Sequence, residues 1–553
     1  MRMSIADRLG IAGALLLSTL FVETPGARGA DAGIPHLRPV GSATQLVVDG
    51  QPWVMLSGEL HNSSSSSLGY LRPIWPRLTA LNLNSVIASL SWELVEPQEG
   101  RFDFSLADGI IDAARRNHLK LVLIWFATWK NGDGAYAPPW VKTNWTRFPR
   151  CQHRPGINTT QLTAFSEENV NADAKAFAAV MRHLKQVDGK QHTVVMMQVE
   201  NESGVMPVSR DHCALAEAAF AKPVPAELMD RLLAHKEALI PDLKETWAKT
   251  GFRQSGAWSE VFGEGAAADE VFQAWHIGRY IGRVAAAGKA EYPLPMYANA
   301  WLVQHLGQAP GAYPSGGPVA RMMDVWRAAA PSIDLLAPDI YLDDFKAVCA
   351  EYARSGNPLF IPEASRDERA GLRAMYALGH HDALGFAPFG IDSLSETNVL
   401  SDYYAVLRSL LPLIAQHQGR GTMKGFLQYK DERRAEFDLG DFRADIEYRS
   451  EDGDHPGGGM VIAVAPDTFV MAGANYSIRF PSRRDKPGNT AWLAIDELVP
   501  PSPRGSSFSA DKSGPLSGLE LVPGRRLNGD EASYRVGLGP KPRILLGRVY
   551  RFQ

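Results

Sequence analysis

The sequence predicts an α/β chain: a (β/α)8 barrel of the TIM type with an appended, sandwich-like all-β domain. Three observations predict it. Apolar runs of strand length alternate with helical patterns about eight times between residues 46 and 416. Polar and aromatic residues gather just after those runs, where a parallel barrel keeps its chemistry. Past Gly419-Arg420-Gly421 the helical period gives way to short strands between Gly/Pro/Asp-rich turns. A doubly wound open sheet also alternates, but does not need so many repeats.

Composition bounds the rest. The 553 residues are 45% hydrophobic and 21% charged, which suits a globular chain of more than one domain. Residues 1–32 read as a secretory signal. Arg2 and Arg8 supply positive charge, Ile11–Val22 is an apolar run too short to span a bilayer, and Ala30-Asp31-Ala32 is a small-x-small cleavage site. Asp7 is unusual in such a region. The barrel is expected over 33–418, with an insertion at about 205–266, and the β domain over 419–553. A net charge of −4 without a basic stripe gives no reason to expect nucleic acid. No later segment is long and apolar enough for a membrane anchor, so an exported, periplasmic or extracellular protein is expected. No Cys/His cluster has zinc-site spacing and no Gly-rich phosphate loop appears, so neither metal nor cofactor is expected. Oligomeric state is not readable.

In chain order, Leu46–Gly50 and Trp53–Leu56 read as a hairpin, running into Ser57-Gly58-Glu59-Leu60-His61-Asn62. A helix over Leu71–Leu81 follows, then a strand over Asn84–Leu90 ending in Ser91-Trp92-Glu93-Leu94-Val95-Glu96-Pro97. After a helix over Leu106–Asn117, the strand Leu119–Phe126 empties into Trp129-Lys130-Asn131-Gly132. A helix over Asn169–Val187 leads to the fourth strand. The 205–266 segment is too long for a simple loop and is expected to hold helices that wall the site. A helix over Ala268–Ala287 precedes the strand Leu294–Tyr297, which ends at Asn299-Ala300-Trp301. Ile333–Ala337 ends in Pro338-Asp339-Ile340-Tyr341, and Leu359–Pro362 leads into Glu363. Gly385–Gly390 and a helix over Asp402–Gln416 close the barrel. In the β domain, strands are expected at Phe437–Tyr448, Met460–Ala465, Phe469–Ala472, Tyr476–Phe480, Ala491–Ile495 and Ile544–Phe552.

The fourth strand carries the chemistry. Val194–Gly204 is a continuous apolar run, as in a buried parallel strand, entering Glu200-Asn201-Glu202. A carboxylate there sits in a pocket mouth and can hold a proton at neutral pH. Glu202 closes the fourth strand and Glu363 the seventh. Two carboxylates so placed are the equipment of glycoside hydrolysis, one as acid and the other on the opposite face of the sugar. Asn201 suits a sugar hydroxyl beside the reacting carbon, and Tyr341 suits the second carboxylate as a hydrogen-bond donor. Glu96 reads as a sugar contact rather than a plain salt bridge. Glu59 is open between sugar and structure. Trp129 and Trp301 read as sugar platforms, weighed against packing. Asn131 either contacts sugar or holds its turn. Glu93 and Glu200 read as structural, and His61 as a satisfied histidine. Cys151 and Cys213, in polar surroundings on either side of the central motif, are the expected disulfide; Cys349 reads as a buried thiol.

Several motifs together carry a resemblance. Ser57-Gly58-x-x-His61, Asn82-Leu83-Asn84, Trp92-x-x-x-Glu96-Pro97, Gly100-x-Phe102-Asp103-Phe104 and Gln198-Val199-Glu200-Asn201-Glu202-x-Gly204 resemble glycoside hydrolase family 35, the β-galactosidases, up to about residue 415. The resemblance implies a retaining, exo-acting enzyme without a cofactor. It implies Glu202 as acid/base, Glu363 as nucleophile, and Asn201 and Glu96 on galactose. The expected partner is a galactosylated oligosaccharide. The chain is similar to a divergent bacterial branch with a C-terminal β domain, associated with xyloglucan side chains. It departs from the family at Asn62 (usually Tyr), Val95 (usually His), Ser203 (usually Tyr), Trp129-Lys130 (near the usual Glu-Trp), and in the Trp-poor stretch after Glu363. These leave other readings open: a β-glucosidase, an α-L-arabinopyranosidase, an endo-glucanase, or a non-catalytic sugar-binding barrel.

Overall fold

The computed structural model describes residues 33–132, 136–354, 356–449, 455–483, 489–499, 522–532 and 534–552. The expected secretory signal and the turn at 501–505 lie outside these residues.

Eight parallel strands organise the larger part. They are β1 (Met55–Leu56), β2 (Ser85–Ser91), β3 (Lys120–Lys130), β4 (Val194–Asn201), β5 (Met296–Trp301), β6 (Leu335–Ile340), β7 (Glu363–Ala364) and β8 (Gly385–Phe386). β2 to β7 pair in one parallel sheet in the order 2-3-4-5-6-7, and β1 pairs with β8. Backbone hydrogen bonds continue past both ends of that sheet. Ile87 N–H donates to Gly58 O and Leu60 N–H to Ile87 O, each at 3.0 Å. Leu384 N–H donates to Leu359 O at 2.8 Å and Ala387 N–H to Ile361 O at 2.9 Å. The sheet is therefore curled, with its outer strands tied to β1 and β8. One apolar cluster draws on both ends of this run, including Met55, Ile87, Ile124, Val195, Tyr297, Leu335, Phe360 and Leu384. Leu46 and Val48 of an N-terminal antiparallel hairpin join it.

Helices cover the outside. Glu167–Asp188 starts where the Ser166 hydroxyl accepts the Asn169 N–H at 3.3 Å, with Glu167 and Glu168 in its first turn. The helix expected at Leu71–Leu81 is broken into Leu68–Leu71 and Trp75–Ala80. Pro73 and Pro76 lack the N–H an unbroken helix needs there. The insertion holds four helices, Ala214–Phe220, Ala226–Ala234, Pro241–Ala248 and Trp258–Phe262. A hairpin (Arg150–Arg154 with Ile157–Leu162) and the helix Ala370–His381 have no counterpart in the sequence reading.

After the helix Val399–His417 the described residues form two antiparallel sheets, of six and four strands. Val461, Met471 and Leu545 of the first share an apolar core with Phe442, Ile446 and Ile478 of the second. The expected strand Phe437–Tyr448 is instead a hairpin, Arg434–Leu439 with Phe442–Tyr448, turning at Gly440 (φ +60°). The six-stranded sheet packs its other face on the helix Ala370–His381. A Cβ on Gly379 would stand 2.9 Å from Gly425 Cα, so two glycines let helix and strand touch. Among the described residues, no helix is long and apolar enough to cross a membrane.

The expected Cys151–Cys213 disulfide is not formed; both are buried free thiols, as is Cys349. Cys213 Sγ instead caps the helix Ala214–Phe220, accepting Ala216 N–H at 3.4 Å. Burial and the Asp211 charge push its thiol up to about 11, so little of the thiolate that exchange requires is present at neutral pH.

Candidate active site

The carboxyl ends of β1, β4, β6 and β7 converge. Glu202, Asp339 and Glu363 each bring one carboxylate oxygen within 4.8 Å of the others. Glu59, just past β1, acts electrostatically on the same group and is buried with both oxygens unpartnered. Four buried carboxyls in one place cannot all ionise.

Their environments push them apart. Burial, then the Glu363 charge, pushes Glu202 up to about 7, with Lys130 opposing. Burial also raises Glu363, but the Lys130 ammonium and the Tyr341 hydroxyl hold it back. Tyr341 O–H donates to Glu363 Oε1 in a short hydrogen bond. Glu59 and Asp339 lie well above the carboxylate range through burial and the Glu363 charge. The arrangement therefore presents a Glu202 that can give or take a proton near neutrality beside a Glu363 that Lys130 and Tyr341 hold back, with Glu59 and Asp339 pushed toward their neutral forms.

Backbone geometry aims these groups. Glu200 (φ +64°) and Glu202 (φ +43°) both take the left-handed region, which is costly for a glutamate and turns the chain sharply at the strand end. Asn299 of β5 holds that turn. Its Oδ1 accepts the Glu202 N–H and the Gln198 side-chain N–H, each at 3.0 Å, and its Nδ2 donates to Asp339 Oδ2 at 2.7 Å. Gly204 (φ +155°) passes so close to Pro314 that a Cβ would stand 2.4 Å away.

β3 supplies the cation. Between Trp125↔Val199 and Lys130↔Asn201, β3 advances five residues while β4 advances two. This bulge brings Lys130 beside Asn201, whose Oδ1 accepts from Lys130 Nζ at 2.6 Å. The same bulge turns Trp129 into the wall. It is buried, edge-on to Tyr280 with centroids 4.8 Å apart, so the expected sugar platform is a packing residue. Trp301 is half-buried at the end of β5. Asn131 is exposed in a left-handed turn (φ +57°), next to Gly132, whose N–H bonds Glu202 O at 2.9 Å.

Glu96 is not brought to the cluster as a free group. Trp92–Val95 forms one helical turn, so Glu96 points back into its own loop. Its Oε2 accepts Trp92 Nε1 at 2.8 Å and its Oε1 accepts Gly100 N–H at 2.7 Å. The expected sugar contact is a structural clamp. Glu200 faces the outer wall, where its Oε2 accepts Trp129 N–H at 2.8 Å. His61 is oriented at Nδ1 by the buried Asp392 at 2.8 Å.

Lys130, Asp339, Asn299 and Asp392 escaped the sequence reading as site residues. Asn299 and Asp339 carried a signal, since each stands at the end of an apolar strand, like Glu202. Three carboxylates this close are also a set that could share a hard cation. Lys130 already supplies positive charge to the same groups, which makes the set a weaker cation trap than the carboxylates alone.

A curled parallel sheet with paired, buried carboxyls at its strand ends defines an acid–base site on a rigid scaffold. The comparisons give it relatives. A family model described as Beta-galactosidase (Glyco_hydro_42) matches residues 75–263, a stretch that holds Glu202 and ends before Glu363. A second, described as a domain of unknown function (DUF5597), matches residues 400–539. A β-galactosidase of Xanthomonas manihotis is 28% identical over 209 residues, covering 36% of this chain and 32% of that protein. The chain thus spans about a third of the curated relative it matches. Among solved structures, the cold-adapted β-galactosidase from Rahnella sp. R3 superposes with TM-score 0.43 at 16% identity, over 66% of this chain and 57% of that one. The catalytic domain of a Paenibacillus polymyxa β-amylase gives TM-score 0.44 at 13% identity, over 64% and 98%.

Proposed function

We propose that the chain is a glycoside hydrolase that releases terminal β-linked galactose, built on a closed (β/α)8 barrel over residues 33–418. The observation that carries this reading is the pair Glu202 and Glu363. They bring carboxylate oxygens within 4.8 Å of one another at strand ends, with Glu202 pushed up to about 7 while Lys130 and Tyr341 hold Glu363 back. A separation of about 5 Å favours double displacement with retention, because no water fits between the second carboxylate, Glu363, and the anomeric carbon. Glu363 attacks the anomeric carbon, while Glu202 protonates the leaving oxygen. Glu202 then takes a proton from the water that releases the sugar. Tyr341 steadies the ionised nucleophile.

The unpartnered atoms around the pair support a polyhydroxylated ligand. Glu59, Asn201 Nδ2, Asp339 Oδ1 and Glu363 Oε2 are buried without hydrogen bonds, a cost that substrate hydroxyls would relieve. The β-galactosidase family model and relative support galactose as the sugar. The family 35 motifs and exo action on xyloglucan side chains belong to this same proposal, as does export of the chain. The test is hydrolysis of aryl β-galactoside against aryl β-glucoside and α-L-arabinopyranoside, with Glu202→Gln and Glu363→Gln beside the wild type. Galactoside turnover that collapses in both variants supports the reading. Wild-type binding without turnover turns it toward a sugar-binding barrel, and variants as active as wild type overturn the site.

A further inference from the structure

We propose that Lys130 is a positioning residue that fixes the Asn201 amide with its N–H2 group facing the substrate. Lys130 Nζ lies 2.6 Å from Asn201, and an ammonium carries only donors, so the amide atom it meets must be the oxygen. That leaves Nδ2 on the other side, buried and without a partner. Asn201 is wholly buried beside Glu202, so this N–H2 can meet an acceptor only inside the site. A sugar hydroxyl oxygen next to the reacting carbon is such an acceptor.

The lysine itself is held. Its ammonium stands over the Phe126 ring at 5.1 Å, and the β3 bulge sets its backbone opposite Asn201. Glu59, Glu202, Asp339 and Glu363 all feel its charge, which keeps the ammonium in place among them. Without Lys130 the amide loses the bond that decides which way round it sits.

The role at the sugar rests on the glycosidase reading; the Lys130–Asn201 contact does not, and the experiment separates them. Wild type, Lys130→Met, Lys130→Arg, Asn201→Ala and Asn201→Asp are compared, together with Lys130→Met combined with Asn201→Asp. The first readout is kcat/KM for an aryl β-galactoside against its 2-deoxy analogue. Wild type should prefer the hydroxylated sugar by about ten- to a hundredfold, the worth of one buried hydrogen bond. Asn201→Ala and Lys130→Met should both lose most of that preference, and Lys130→Arg should keep it. If Lys130 only shores up the wall, Lys130→Met slows both substrates equally and the preference survives, which overturns the proposal. The second readout needs no turnover. Asn201→Asp should lower Tm by at least about 2 °C more in the Lys130→Met background than in wild type, because the new carboxylate loses its counter-charge. Equal shifts in the two backgrounds overturn the contact. If the coupling holds and no galactoside is hydrolysed, the galactosidase reading fails and the positioning contact stands.

Discussion

Two glutamates show what makes a buried carboxyl functional. Glu59, past β1, and Glu96, past β2, are each 1% exposed and follow neighbouring strands. Glu96 spends both oxygens on its own loop, through Trp92 and Gly100. Glu59 has no partner for either oxygen and faces Glu363, Glu202 and Lys130. Burial is the same; satisfaction is opposite. A bonded acid stabilises the fold, while an unbonded one among like charges waits for a ligand.

The pair at the centre gives the largest effects. Glu363→Gln should cut kcat/KM by at least about 10⁴-fold, since it removes the nucleophile. Glu202→Gln should cost about 10²–10⁴-fold, with the smaller loss on aryl leaving groups that need no proton. Both variants should fold as wild type, read by circular dichroism.

Next come the two glutamates themselves. Burial and the Glu363 charge push Glu59 toward its neutral form, so Glu59→Gln keeps its shape and should leave Tm nearly unchanged. It should lower kcat/KM by about ten- to a hundredfold. Glu96→Ala should do the reverse. It strands the Trp92 and Gly100 N–H groups and should cost about 2–5 kcal/mol in chemical denaturation. Activity per folded molecule should stay within about threefold. If Glu96→Ala kills turnover while sparing stability, the contrast between the two residues fails.

The pH dependence follows from Glu202. Its folded value of about 7 lies above the ordinary 4.5, so the folded state binds that proton more tightly than the unfolded chain. The resulting stability is fully present below pH 4.5 and fades as pH rises through about 7, by about 3 kcal/mol at most. Turnover should fall over the same upper limb as the acid loses its proton. Glu202→Gln should flatten Tm against pH between those values. The smallest expected effect concerns the thiols. Three should titrate with a thiol reagent in protein unfolded without reductant, and a count of one would restore the Cys151–Cys213 bridge.

Much of the fold is legible in the sequence because strand and helix periods are local. Val194–Asn201 reads as a buried strand from its unbroken apolar run, and it is one. Leu71–Leu81 misleads because its apolar spacing survives two prolines that its backbone does not. Trp129 misleads for another reason. It follows a strand end in sequence, but the β3 bulge extends the strand past it and turns the indole into the wall. Glu96 misleads because Trp92 and Gly100, four residues on either side, close a turn around it.

The sequence by itself determined the alternation of strands and helices, the change to antiparallel strands past residue 419, and the placing of Glu202 and Glu363 at strand ends. Each of these depends on a residue's immediate neighbours. Only the tertiary structure decided which groups meet there. Asn299 reaches Glu202 across 97 positions, Lys130 reaches Asn201 across 71, and Asp339 joins them from another strand. Those meetings depend on strand register, and one bulge in β3 resets the register for every residue beyond it.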